Sequence, residues 1–316
     1  MSPVSGHNNS LTKGALLDTR RVHICVGICT YKRDKLLGRL LNKLQDQETC
    51  GLFTYSIIVV DNDPDLSAEG VIASWERRSR IPIGYHVEPT PCIPLARNAA
   101  IRNARGDYIA FIDDDEAPIR SWLLNLYRAC QFYGADGVLG PVVPDFEFSP
   151  PDWIIKGKIL ERKTYPTGTV LGWDETRTGN VLLRYKIFEQ RENLFNPEFY
   201  HGEDKDFFRR MIAKGYKFIW CAEAPVYEIY QADRLKSSFF LKRALIRGGV
   251  SIRHQSYSIA QVIQSMIAFQ IYALALPLLL IFGHHIFMKY LIKSCDHLGR
   301  LLAAAGVDLQ KYINYS

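Results

Sequence analysis

The chain has 316 residues, 47% of them hydrophobic and 23% charged, with a net charge of +6. That length allows one large domain with or without an accessory segment, and that balance excludes wholesale disorder. So mild a surplus calls for no nucleic acid, no nucleic-acid-binding signature is present, and the positive charge suits an anionic membrane face instead.

The polar stretch 1–21 lacks the apolar core of a signal peptide, which puts the catalytic part in the cytosol. Val22–Thr30 is an apolar, β-rich run that ends in polar Tyr31-Lys32-Arg33. Leu36, Leu37, Leu40, Leu41 and Leu44 then recur at helical spacing over Asp34–Gln47. Ser56–Val60 reads as a second buried strand, closed by Asp61-Asn62-Asp63-Pro64. A helix near Ser67–Arg78 and a short strand near Tyr85–Val87 follow. The next helix starts after Ile93, with Pro94 in its first turn, and stops at Gly106. Tyr108–Ile112 is a third buried strand and runs into Asp113-Asp114-Asp115. A helix over Ile119–Tyr133 leads to one strand, Gly137–Val143. The Pro- and aromatic-rich stretch from Pro144 to Thr176 reads as a loop-rich insertion suited to an acceptor surface. Strand Asn180–Tyr185, a helix opened by Gly202-Glu203-Asp204, and strands Phe218–Cys221 and Pro225–Glu228 complete this part.

Strand–helix alternation of this kind predicts an α/β fold with an open, mostly parallel sheet, whose ligands bind at the carboxyl ends of the strands. Thr30–Arg33, Asp61–Asp63 and Asp113–Asp115 all follow strands, and that coincidence predicts one site. Beyond Ala232, Arg and Lys outnumber a lone Asp233, and Ile267–Phe287 then runs 21 residues without a charge. That is enough to span a bilayer, with basic flanks marking the cytoplasmic side. Pro277 and Gly283-His284-His285 allow a re-entrant hairpin, and a buried core helix is the soluble alternative. The seven scattered cysteines, Cys25, Cys29, Cys130 and Cys221 among them, read as small buried hydrophobes in a reducing compartment.

Three adjacent carboxylates repel one another unless a cation neutralises them, and hard oxygens suit Mg²⁺ or Mn²⁺. If the strand conformation persists, Asp113 and Asp115 point the same way; the alternative is a solvated acidic turn. Asp61 and Asp63 are placed to accept hydrogen bonds from a nucleobase or ribose, or simply to close an Asx turn. Arg97 and Asn98, in the first turn behind Pro94, make either an anion site or an ordinary helix surface. Glu203 and Asp204 at a helix start stay ionised, fit for a general base or merely an acidic N-terminus. His201, Trp153, Trp173 and Tyr200 are candidates to orient or stack on a sugar, though such residues more often pack.

Read together, VGICTYKR from Val26, VVDND from Val59, ARNA from Ala96, GDYIAFIDDD from Gly106, TGNVL from Thr178 and GED from Gly202 resemble glycosyltransferase family 2 over Val22 to Gly249. Pro150-Pro151-Asp152-Trp153 and Glu223–Glu228 are most similar to the branch typified by bacterial succinoglycan glucosyltransferases. The resemblance implies a GT-A fold, an inverting mechanism and a UDP-sugar donor. It places Thr30, Tyr31, Arg33 and Asp61 along the nucleotide, and Asp63, Arg97, Asp114 and Asn180 in the same donor pocket. Asp113 would touch ribose or metal, Asp115 would bind the divalent ion, and Glu228 stands where the family often has a metal-binding His. Asp204 would be the base, with Glu203 binding a glycan or lipid-linked acceptor. The implied layout is a tail over 1–21, a catalytic domain over 22–232, a basic linker helix over 233–257 and an apolar, membrane-associated helical segment over 258–316. The enzyme would work on the cytoplasmic face of a membrane, the inner one in a bacterium. A Mg²⁺-dependent phosphohydrolase is the enzymatic rival, but it usually carries its Asp pair on the first strand. An inactive, membrane-anchored sugar-nucleotide-binding protein is the other, and the intact acidic set argues against it.

Overall fold

The computed structural model describes residues 21–200, 202–254, 258–307 and 309; the polar tail and His201 lie outside them. Strands β1 (Val22–Thr30), β2 (Phe53–Asp61), β3 (Ile83–Val87) and β4 (Tyr108–Ile112) pair in parallel in the order β3-β2-β1-β4. Helices α1 (Asp34–Leu44), α2 (Glu69–Glu76) and α3 (Ile93–Asn103) connect them. Side chains alternate along a strand, so both faces of these apolar runs need cover. Ile24, Val26 and Ile28 share one core with Leu37, Leu40 and Leu41 of α1. Cys25, Ile58 and Val60 share the other with Ala96 and Ala100 of α3. Each fully buried Leu contributes ~1.5–3 kcal/mol of apolar transfer.

The second half is mixed. It comprises β5 (Glu116–Pro118), α4 (Trp122–Phe132), β6 (Gly137–Leu139), β7 (Val142–Phe146), α5 (Asp152–Lys156), β8 (Asn180–Arg184), α6 (Glu203–Ala213), β9 (Phe218–Trp220) and β10 (Val226–Tyr230). β8 runs antiparallel between β4 and β6, completing a seven-stranded sheet β3-β2-β1-β4-β8-β6-β9, while β5-β10-β7 forms a small second sheet. The single strand expected over Gly137–Val143 is therefore two strands in different sheets. Pro141 has no N–H to give a ladder, and Gly140 is pressed against Ala224, whose carbonyl oxygen would lie 2.3 Å from an added Cβ. The loop-rich insertion contains α5, whose Trp153 packs 5.2 Å from the Phe240 ring.

Three helices follow: α7 (Ser237–His254), α8 (Ile259–Ile281) and α9 (His284–Ala304). The apolar helix begins and ends earlier than the charge-free window Ile267–Phe287, because Gly283, at φ +121°, breaks the chain and His284 starts the next helix. α8 is long and apolar enough to cross a membrane. It packs on α9 and leaves Leu274 and Ile281 79% exposed, which rules out a buried helix covering the sheet. Trp153, Tyr230, Phe240 and Met288 form a third apolar cluster that ties α5, β10, α7 and α9 together. All seven cysteines are free thiols, and Cys50 is exposed, correcting the expectation that every one is buried.

Candidate active site

Parallel pairing brings the ends of β1, β2 and β4 to one rim, with Thr30 directly beside Asp61. Asp61 is fully buried and spent on its own turn. It accepts from Ala68 N at 2.7 Å, Tyr85 OH at 3.0 Å and Asp63 N at 3.2 Å. The Asx-turn alternative describes this residue, and both of its oxygens already have donors within the chain. Its neighbour Asp63 differs, because Oδ2 is buried without a hydrogen-bond partner. An orphaned carboxylate oxygen costs free energy unless a donor group reaches it. Tyr31 stands 41% exposed at the same rim.

β4 ends at Ile112, and Asp113–Asp115 form a turn in which Glu116 N donates to Asp113 O at 3.1 Å. The strand does not persist, so Asp113 and Asp115 diverge and Asp114 joins Asp115 instead. Arg33 Nη1 donates to Asp114 Oδ1 at 2.9 Å and Asp115 Oδ2 at 3.0 Å, and Thr30 Oγ1 to Asp114 Oδ2 at 2.8 Å. Burial lifts the Asp114 carboxyl to about 6, against the pull of Arg33. Asp115 also accepts from Arg234 Nη1 at 2.6 Å, and the other arm of that guanidinium reaches Glu228 at 3.3 Å. Asp113 opens into the cleft, its side chain half exposed, 3.6 Å from Arg97.

The opposite rim is the start of α6. Gly202 takes φ +80° at its N-cap, a left-handed turn that glycine adopts without strain, and this presents Glu203 and Asp204. Glu203 is buried and bonded to Arg97, whose other arm faces Asp113, so one guanidinium links the two rims. Burial pushes the Glu203 carboxyl up to about 7, with Arg97 opposing and Asp204 adding to the rise. Asp204 lies more open, its Oδ1 accepting from Lys205 N at 2.7 Å. Arg97 and Asn98 thus do not form an anion site at a helix start: Arg97 holds acids, and Asn98 clasps the backbone of Phe195 at 2.8 and 2.9 Å.

Asn180 is bound into the scaffold by both ends of its amide. It is fully buried, donates to Pro141 O and Ala224 O at 2.9 and 2.8 Å, and accepts from Trp122 Nε1 at 2.8 Å. Trp153 packs in the third cluster, Trp173 is partly buried against the α3–α6 core, and Tyr200 is 40% exposed.

Three cleft residues were missed from the sequence. Glu116, directly behind the acidic triplet, is buried, accepts from Asp113 N at 3.1 Å and pairs across the small sheet with Glu228. Its carboxyl is raised well above its usual range by burial and by Asp113 and Asp115. Gly179 is pinned against it, since an added Cβ would meet Glu116 Oε1 at 2.8 Å and Asp113 Oδ2 at 2.9 Å. Arg162 bonds Glu228. Arg177, two residues before Gly179, is the exception among five cleft arginines. Arg33, Arg97, Arg162 and Arg234 each pair with an acid, whereas Arg177 has no ion pair among the described residues. Burial and the like charge of Arg162 lower its pKa, with Asp204, Glu116 and Glu228 facing it at longer range.

The donor set of Asp113, Asp115 and Glu228 has the hard-oxygen chemistry of a Mg²⁺ or Mn²⁺ site. Arg234 gathers Asp115 and Glu228. Among the described residues no three such side chains already stand at ligand positions. The chemistry fits a divalent ion, provided the arginines that now hold these carboxylates turn to an incoming phosphate.

Residues 25–210 match the family described as glycosyl transferase family 2. A succinoglycan biosynthesis protein, ExoM, of Rhizobium meliloti (strain 1021) is 32% identical over 232 residues, 72% of this chain and 73% of that protein. Among solved structures, S. aureus TarS 1–349 superposes with a TM-score of 0.51 at 15% identity, over 90% of this chain and 92% of its own. The same fragment in complex with UDP-GlcNAc gives 0.51 at 14% identity, over 90% and 91%. At such identity the likeness establishes a shared fold.

Proposed function

This chain belongs to glycosyltransferase family 2, and from that premise we propose that it moves a sugar from a UDP-sugar to a hydroxyl of a glycan or lipid-linked acceptor, with inversion. One observation carries the reading: Arg97 joins Glu203, beside the more open Asp204, to Asp113 at the strand-tip rim. A base and an anion-handling rim thus face one cleft.

In this reading Tyr31, Asp63 and the Thr30–Arg33 turn receive the nucleotide. Asp204 takes the proton from the acceptor hydroxyl as that oxygen bonds to the anomeric carbon. The bond from that carbon to the phosphate oxygen breaks, and its electron pair leaves on UDP. A single displacement inverts the centre, and no glycosyl-enzyme forms. Arg177, which has no ion pair among the described residues, and Arg234, once drawn off Asp115, meet the growing negative charge of the diphosphate. Asp113, Asp115 and Glu228 would hold a divalent ion, which supplies further positive charge there. Glu203 orients the acceptor. A UDP donor accords with the UDP-GlcNAc bound by TarS, and a polysaccharide product with the name of ExoM. We place that work at the cytoplasmic face of a membrane; the exposed apolar α8 accords with the membrane.

Nucleotide sugars screened by thermal shift with Mn²⁺, followed by assay of UDP and phosphate release, test the reading. A UDP-sugar that stabilises the protein and yields UDP supports it. Phosphate release without UDP would mean a phosphohydrolase, and no binding to any UDP-sugar would sink the donor assignment.

A further inference from the structure

The outer face of α8 carries Ile259, Ile263, Ile267, Leu274, Leu278 and Ile281, each between 47% and 79% exposed. Its length invites an upright span, but its register against α9 speaks against one. Arg300 Nη1 donates to Ser265 Oγ at 3.0 Å, and the Tyr272 ring lies 5.5 Å from Tyr290 and 5.7 Å from His297. The two helices therefore run antiparallel side by side, and the middle of α8 sits level with residues 290–297.

That stretch of α9 is not apolar. Lys289 and Lys293 are exposed on it, and Asp296 bonds Arg247 of α7 at 2.8 Å. α9 is in turn locked against α7. α7 and α9 touch backbone to backbone at Gly248 and Gly299, where an added Cβ would lie 1.9 Å from Asp296 O and 2.0 Å from Leu245 O respectively. Met288, near the start of α9, is buried against the catalytic domain in the cluster with Trp153 and Tyr230. An upright α8 would therefore carry Lys293, Asp296 and Arg300 to the depth of the hydrocarbon, where ionised side chains are costly.

Charge indicates which surface covers the apolar face. Residues 237–304 hold seven Lys and Arg against one acid, Asp296, a surplus of six that equals the net charge of the whole chain. The remainder is balanced. An apolar ridge on a basic three-helix layer fits a bilayer with anionic headgroups.

We propose that α8 lies in the plane of an anionic membrane interface as a monotopic anchor, its outer face sunk among the acyl chains, and does not cross the bilayer. This rests on the reading that the enzyme works at a membrane, and it fixes how the chain is held there.

The test uses sealed vesicles from cells making the full chain, with Ser258→Cys, Leu274→Cys or His284→Cys; Ser258 is the exposed cap before α8, and the His284 ring lies 6.4 Å from that of Trp153, so both stand off the outer face. A membrane-impermeant maleimide is added outside and the labelled positions are mapped by mass. Exposed Cys50 reports the side of the catalytic domain. In-plane seating labels positions 258 and 284 together with Cys50 and protects position 274 until detergent is added. Labelling of 258 and 284 from opposite sides would overturn the proposal and leave the membrane reading intact. A chain that stays soluble and does not bind anionic vesicles would remove both. Lys289→Glu with Lys293→Glu is expected to weaken binding to phosphatidylserine vesicles by ~10-fold or more, whereas unchanged binding contradicts the basic-layer argument.

Discussion

The two rims of the cleft differ in how completely their polar groups are satisfied. On the strand-tip rim, Asp61 has donors on both oxygens and Asp114 is held by Thr30 and Arg33. On the facing side, Asp204 is bound by little besides a neighbouring backbone N–H, and Arg177 has no ion pair among the described residues. A saturated group has its interaction energy in the fold, and an unsaturated one keeps it for a ligand. Substitution of the saturated Asp61 should therefore lower stability, and substitution of Asp204 or Arg177 should lower turnover.

Asp204→Asn is expected to break the contrast most visibly if it is wrong. Loss of a positioned base lowers kcat by ~10²–10⁴-fold, with the melting temperature and donor affinity little changed. Normal transfer by this variant would remove Asp204 from the chemistry. Arg177→Gln comes next. Losing a charge-assisted contact to phosphate should lower kcat/KM for the donor by ~10–100-fold, and Arg177→Lys should recover part of it. Stability should hold or rise, because a half-buried cation without a partner is removed. A falling melting temperature with unchanged kinetics would make Arg177 structural. Asp61→Ala should do the reverse: it strands Ala68 N and Tyr85 OH, at a cost of ~1–3 kcal/mol each, while molecules that remain folded still turn over. Calorimetry beside the UDP-release assay separates the two effects.

The same contrast marks what was legible in the sequence. Val22–Thr30 and Tyr108–Ile112 coincide with β1 and β4, because each is an unbroken apolar run ending in polar residues. The strand-end acids were legible for the same reason. What escaped depends on partners distant in the chain. Gly140-Pro141 divides a strand because Ala224 and Asn180 press on it. Arg162 and Arg177 lie in an aperiodic stretch, and their surroundings come from β10 and α6. Glu116 did leave a signal as the fourth acid in a row. The turn at 113–115 gave none, since alternation along a strand says nothing about where the strand stops.

Glu203 belongs to neither class, being buried and paired yet standing beside the proposed base, and pH separates its two roles. Its carboxyl sits near 7 in the fold against about 4.5 when exposed, chiefly through burial. Between those values the folded chain holds more of this proton than the unfolded one, so stability falls as pH rises through that window. Glu203→Gln mimics the protonated form and should flatten the melting temperature over the same range. If Glu203 serves the acceptor as well, the variant also raises acceptor KM while donor binding persists. A pH–stability curve that keeps its slope in the variant would mean that Arg97 holds Glu203 ionised throughout, making the link between the rims a permanent ion pair.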